Sequence, residues 1–209
     1  MRVLAICDDY WHPAATARGG LDALQDCEYE FDWIEDAADW SAERMAEYGL
    51  VLFAKSDNVT AADKSSWVTE AVQRAFVDYV RRGGGLLVIH SGTVYAEVPV
   101  MRGLIGGAFL SHPKQCPVTV EPQPGHPLTA GSEPFTVVDE HYQMVLDDTG
   151  ADVFMTTTSE HGTQPAGWTR AEGEGRVCVL TPGHNLEVWQ HPSYQTLIVN
   201  GLRWCSKAI

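Results

Sequence analysis

The chain has 209 residues, 44% of them hydrophobic, enough for one sizeable core, and it contains no apolar run long enough to span a bilayer. Its 28 acidic residues against 14 basic ones give a formal charge of -14. Such a surface repels polyphosphate and argues against nucleic acid or an anionic membrane as partner, while leaving a neutral small molecule such as a sugar open. The five cysteines, Cys7, Cys27, Cys116, Cys178 and Cys205, are widely spaced and form no C-x-x-C pair, which reads as reduced, mostly buried thiols in a cytoplasmic protein.

In chain order, Arg2–Cys7 reads as a buried strand, not as a secretory leader. The loop DDYWHP follows, and then a weak helix over Ala14–Gln25, interrupted by Gly19-Gly20. Tyr29–Ile34 alternates like a half-exposed strand, and Gly49–Lys55 is apolar at its centre, as parallel strands covered on both faces are. The strongest helical period runs through Val68, Val72, Phe76, Tyr79 and Val80; Arg81-Arg82 complement its dipole and Gly83 stops it. Leu86–His90 is the fourth strand. This β-α-β order predicts a three-layer, mostly parallel, doubly wound α/β sheet in a single domain spanning 1–209.

Beyond residue 93 the pattern is weaker. Val100–Gly107 reads as a short helix, and Pro117–Glu121, Phe135–Asp139, Asp152–Thr158 and Arg176–Thr181 read as strands. A hairpin-like stretch is expected around Gly167–Gly175, and a closing helix carries Tyr194, Leu197, Ile198, Leu202 and Cys205 on one face. Gly83–Gly85 precedes its strand, lacks a Walker lysine and has no G-x-G-x-x-G spacing, so it is a helix stop and not a phosphate loop.

Histidines carry the chemistry. His12, His90 and His184 follow strands, at the carboxyl edge where parallel sheets bind ligands. His112 and Glu140 fall in neighbouring loops. Convergence of some of these on one pocket would suit proton transfer near neutral pH, or a divalent metal such as Zn. There is no H-E-x-x-H and no closely spaced Cys/His set to strengthen the metal reading. His90, His184 and Glu140 are taken as catalytic, and His12 and His112 as metal ligands, with His90 and His184 as further ligands. His126 and His191, each before a proline, read as turn residues. Tyr10, Trp11, Tyr142 and Trp168, with carboxylates nearby, offer aromatic faces for a sugar ring, and Ser91 joins them as a binding residue. The bland alternative for each aromatic is packing between loop and core. Ser91 as a nucleophile is disfavoured, because adjacent side chains at a strand end diverge.

Several segments together resemble the ThuA-like (trehalose utilisation) family, whose fold is similar to class I glutamine amidotransferases and flavodoxin-like proteins. These are Phe76–Gly92, Gly106–Pro113, Gly125–Thr129, Asp139–Tyr142, Gly175–Val177 and Gly183-His184, in that order over nearly the whole chain. The departure is Asp139-Glu-His-Tyr142, where the family usually has a small or aliphatic residue before the tyrosine. In amidotransferases a thiol nucleophile sits in the turn that here reads His90-Ser91-Gly92, so glutaminase chemistry is rejected. The resemblance implies a carbohydrate substrate, an oxidised (keto) disaccharide or glycoside, handled by a lyase or hydrolase. The rival reading is a non-catalytic sugar-binding or assembly module on the same fold, and self-association into a homo-oligomer stays open.

Overall fold

The computed structural model of the chain describes residues 1–24, 28–147 and 150–209. Cys27, expected as a buried thiol, and Gln25, the expected end of the first helix, lie outside the described residues. The first half alternates as the sequence suggests. It runs β1 (Arg2–Ile6), α1 (Ala14–Leu21), β2 (Glu30–Ile34), α2 (Ala42–Ala46), β3 (Leu50–Phe53), α3 (Glu70–Arg81), β4 (Gly85–Ile89) and α4 (Pro99–Ile105). Strands then dominate: β5 (Gly107–Ser111), β6 (Cys116–Pro122), β7 (Phe135–Asp139), β8 (Gln143–Leu146), β9 (Asp152–Ser159), β10 (Gly162–Glu172) and β11 (Gly175–Leu180). Two helices close the chain, α5 (Leu186–Gln190) and α6 (Pro192–Cys205).

Among the described residues, nine strands form one sheet in the order β2-β1-β3-β4-β11-β10-β9-β6-β7. The first five are mutually parallel, in the order of a flavodoxin-like sheet with β11 as fifth strand. The remaining pairings are antiparallel, and β5 and β8 form a separate two-stranded ribbon. Alternate residues of the parallel strands feed two distinct cores. Leu50, Leu52, Leu87, Ile89, Cys178 and Leu180 pack with α1, α5 and α6. Leu4, Ile6, Val51, Phe53, Val88 and Val179 pack with α3 and α4. Helices therefore cover both faces, which gives the three layers.

Local chemistry accounts for the boundaries. Thr69 Oγ1 accepts from Val72 N (3.3 Å) at the start of α3. Gly83, at φ 108°, ends it in a conformation that other residues rarely adopt. His126 and His191 are turn residues as expected, each accepting from a backbone amide at the start of a helical turn (Leu128 N and Ser193 N). The expected hairpin around Gly167–Gly175 forms between β10 and β11, with its turn at Gly173-Glu174. Gly167 sits inside β10, where the pairing to β9 shifts register and where a Cβ would fall 2.8 Å from the Phe154 ring. A glycine marking a bulge had the look of a turn. The turn before β10 lies at Glu160-His161. No helix among the described residues is long and apolar enough to cross a membrane.

Candidate functional site

Four loops at the carboxyl ends of β1, β4, β7 and β11 bring His12, His90, Glu140 and His184 together. One ligand-type atom from each lies within 4.8 Å of all the others. Each loop is held by bonds that the sequence must supply.

After β1, Asp9 is buried and its carboxylate gathers four donors. Oδ1 accepts from Trp11 N (3.0 Å), His12 N (3.0 Å) and His12 Nδ1 (2.8 Å), and Oδ2 accepts from Ser56 N (2.9 Å). Burial pushes this carboxyl up, but the His12 and amide bonds outweigh it and hold the pKa at about 2. Burial lowers the His12 pKa in spite of the support from Asp9. Beneath the loop, the fully buried Lys55 ammonium donates to the carbonyl oxygens of Cys7 (3.2 Å), Asp8 and Glu35 (3.0 Å), tying together the ends of β1, β2 and β3. Burial lowers the Lys55 pKa.

After β4, His90 opens a short 3-10 turn (90–93) at φ 45° and is 2% exposed. Its Nδ1 lies 2.8 Å from Thr181 O. A carbonyl can only accept, so Nδ1 carries a proton, and Nε2 is left pointing toward Glu140. The ring stacks on Tyr142 with centroids 4.0 Å apart.

After β7, the buried Asp139 carboxylate accepts from Gly183 N (2.8 Å) and His184 N (3.0 Å), fastening the loop that follows β11. Trp189 Nε1 donates to Gly183 O (2.7 Å) and Tyr194 OH to Pro182 O (2.6 Å) in the same loop. The neighbouring Glu140 then reaches the cluster. Its Oε2 lies 3.1 Å from His184 Nδ1 and 3.5 Å from His90 Nε2, and its Oε1 lies 3.6 Å from His112 Nε2. Burial raises the Glu140 pKa, but His184 and His90 outweigh it and hold the group far below the ordinary carboxylate range. The Glu140 carboxylate beside it raises the His184 pKa.

A cleft of about 430 Å³ opens over this cluster. Its walls include Trp11, His12, Asp57, Phe109, His112, Glu140 and Tyr142. His12 and Glu140 face it directly, whereas His90 and His184 are not among its walls and meet it through Glu140. His112 is partly exposed, holds Pro113 O through Nδ1 (2.8 Å) and stands beside Glu140, outside the four-residue cluster. Trp11 is 66% exposed, and Tyr10 meets its ring edge-on with Lys64 Nζ over the other ring.

Three residues expected to touch substrate, Tyr10, Trp168 and Ser91, are not among the walls of this cleft. Trp168 is fully buried on β10, with its indole N–H donated to Ile105 O (2.9 Å); it packs against α4 because its strand position points into that core. Ser91 is buried beside a void of only about 10 Å³, shared with Cys7 and Trp189. Sequence reasoning missed Asp9, Asp139 and Lys55. The signals were present: an acid at the carboxyl end of an apolar strand in Cys7-Asp8-Asp9, another in Val138-Asp139, and a lysine continuing the strand Leu50–Phe53.

The family model described as trehalose utilisation, ThuA, matches residues 9–205. No curated protein matches the sequence. Among solved structures, a ThuA-like protein from Parabacteroides merdae ATCC 43184 superimposes with TM-score 0.77 at 17% identity, covering 100% of this chain and 90% of its own. A cytoplasmic protein from Salmonella typhimurium LT2 does so at 0.73 and 16% identity, covering 98% and 99%. A β-galactosidase from Rahnella sp. R3 matches at 0.67 and 17% identity over 94% of this chain but 30% of its own. At these identities the likeness is one of fold.

Proposed function

The chain belongs to the ThuA family, described as trehalose utilisation, and from that membership we propose that it acts on a carbohydrate, an oxidised (keto) disaccharide or glycoside. The observation that carries this reading is the convergence of three imidazoles and a carboxylate under an aromatic-walled cleft. Trp11, Phe109 and Tyr142 offer the flat apolar surfaces that a sugar ring stacks on, and Asp57 and Asn58 offer polar groups for its hydroxyls. Glu140, His12 and His112 face the substrate, and His90 and His184 back Glu140. In a keto-sugar the hydrogen beside the ketone is acidic. A base at this position takes it, the electron pair is held as an enolate, and the oxygen on the next carbon leaves as it gains a proton; hydration runs this elimination in reverse, with water adding to the enone. The net charge of -14 supports a neutral substrate over nucleic acid or a membrane surface, and the buried free thiols support a cytoplasmic setting.

The test is turnover of keto-disaccharides beside their unoxidised parents. Activity on the keto form alone, lost in the His90→Ala, His184→Ala double variant, supports the proposal, and full activity in that variant overturns it. A second reading rests on the β-galactosidase match, where a fold like this one makes up 30% of a larger chain: a sugar-binding or assembly module without chemistry. Saturable binding of the sugar with no turnover would favour it.

A further inference from the structure

We infer that His12, His90, His184 and Glu140 form a binding site for one divalent first-row metal ion of the zinc type. The inference rests on reading this cluster as the functional centre, and it names the ion that the centre would use. Three buried nitrogens, His12 Nε2, His90 Nε2 and His184 Nδ1, have no hydrogen-bond partner. His90 is nearly sealed from solvent, so water does not substitute for one. The opposite nitrogens of two of these rings are already committed. His90 Nδ1–H donates to Thr181 O and His12 Nδ1–H donates to the Asp9 carboxylate. The nitrogens left over, Nε2 of both rings, therefore face inward without a partner, and Glu140 adds a carboxylate. Backing one ligand imidazole with a carboxylate and another with a carbonyl is the arrangement that fixes tautomer and ring orientation in metal sites.

The spacing agrees. Zinc holds nitrogen and oxygen ligands at about 2.0–2.2 Å in a tetrahedron, which places neighbouring ligand atoms roughly 3.4 Å apart. Glu140 Oε2 lies 3.1 Å from His184 Nδ1 and 3.5 Å from His90 Nε2. His184 Nδ1 is close to that oxygen but off the hydrogen-bond direction, as two ligands of a common ion are. Three imidazoles disfavour magnesium and calcium, which take oxygen ligands. The ligands come from four loops far apart in sequence, so no short motif announces them. An ion there, reached from the cleft past His12 and Glu140, would polarise a sugar carbonyl.

The experiment uses the full chain stripped with a chelator and titrated with Zn²⁺, then with Co²⁺, whose visible absorption reports coordination geometry. One equivalent per chain, with a tetrahedral or five-coordinate cobalt spectrum, is expected. His90→Ala, or His184→Ala where the first does not fold, should raise the dissociation constant by more than about 100-fold, beyond the loss that a supporting partner gives. His112→Ala should leave it unchanged. Absence of stoichiometric binding by the wild type, or binding unaffected in a folded His90→Ala or His184→Ala variant, overturns the site. Turnover of a keto-sugar by protein that binds no metal would overturn the site and leave the carbohydrate reading standing. Tight binding without turnover would uphold the site and count against that reading.

Discussion

Asp9→Asn tests whether the His12 loop is built as its geometry indicates. The carboxylate serves two directions: Oδ1 takes Trp11 N, His12 N and His12 Nδ1, and Oδ2 takes Ser56 N. An amide has one acceptor and one donor end. With its oxygen toward the three donors it opposes N–H to N–H at Ser56; turned over, it opposes three donors at once. The first orientation prevails. It leaves one buried donor unpaired, about 1–3 kcal/mol, and removes charge assistance from three bonds. Relief from burying a charge offsets part of this, for a net loss of about 2 kcal/mol. In a chain of this size that lowers the melting temperature by about 4–8 °C. Because the amide oxygen still holds His12 Nδ1–H, the tautomer survives and zinc affinity should fall only about tenfold, at the low end for a supporting partner. Asp9→Ala frees the ring and should lose more. Thermal unfolding and zinc titration of both variants check this. A melting temperature within about 1 °C of wild type, or an alanine variant that binds zinc no worse than the asparagine one, would refute the reasoning.

Trp11→Ala should leave stability within about 0.5 kcal/mol of wild type, since the residue is largely exposed, while weakening sugar binding by about three- to tenfold, measured by calorimetry or KM. Trp168→Phe should do the opposite, losing about 2–3 kcal/mol in urea unfolding through the Ile105 bond and lost volume, with KM unchanged. Burial raises the Cys7 thiol to about 12. The unfolded thiol ionises first as pH rises through about 9, so the folded state binds the extra proton. This thiol then subtracts about 1.4 kcal/mol of stability per pH unit between about 9 and 12. Cys7→Ala should unfold with a correspondingly shallower alkaline slope, and an unchanged slope would count against the assignment.

The parallel half of the sheet was legible because its signals are local. Apolar runs such as Leu50–Phe53 and the capped period of α3 carry their meaning within a dozen residues. The antiparallel half was harder to read. β10 contains Pro165 and Gly167, residues that normally break strands, and only its pairing with β9 and β11 makes it one. The site shows the same division. Histidines after strands could be picked out one by one, but their convergence depends on Asp139, at the far edge strand β7, reaching the loop after β11. The misplacement of Trp168 has the same origin: a tryptophan that reads as loop stands on a strand and faces the core.

The turn after β4 sharpens what His90 does. In an amidotransferase-like fold this turn raises a nucleophile toward substrate, and the sequence puts His90 there as an acid/base group or a metal ligand. The geometry sets its ring back from the cleft. Gly92 brings the turn hard against Phe53 O, where no Cβ would fit, and Thr93 Oγ1 donates back to His90 O (2.8 Å). This clamps His90 at positive φ, which costs a side-chain-bearing residue about 1–3 kcal/mol. The strain does not present the ring to the cleft. It pins Nδ1 to Thr181 O on the neighbouring strand end, lays the ring on Tyr142 and turns Nε2 inward to Glu140. Strain spent on burying an imidazole with one nitrogen fixed and the other unpartnered suits the metal ligand proposed above, whereas a general base would need the substrate's proton within reach.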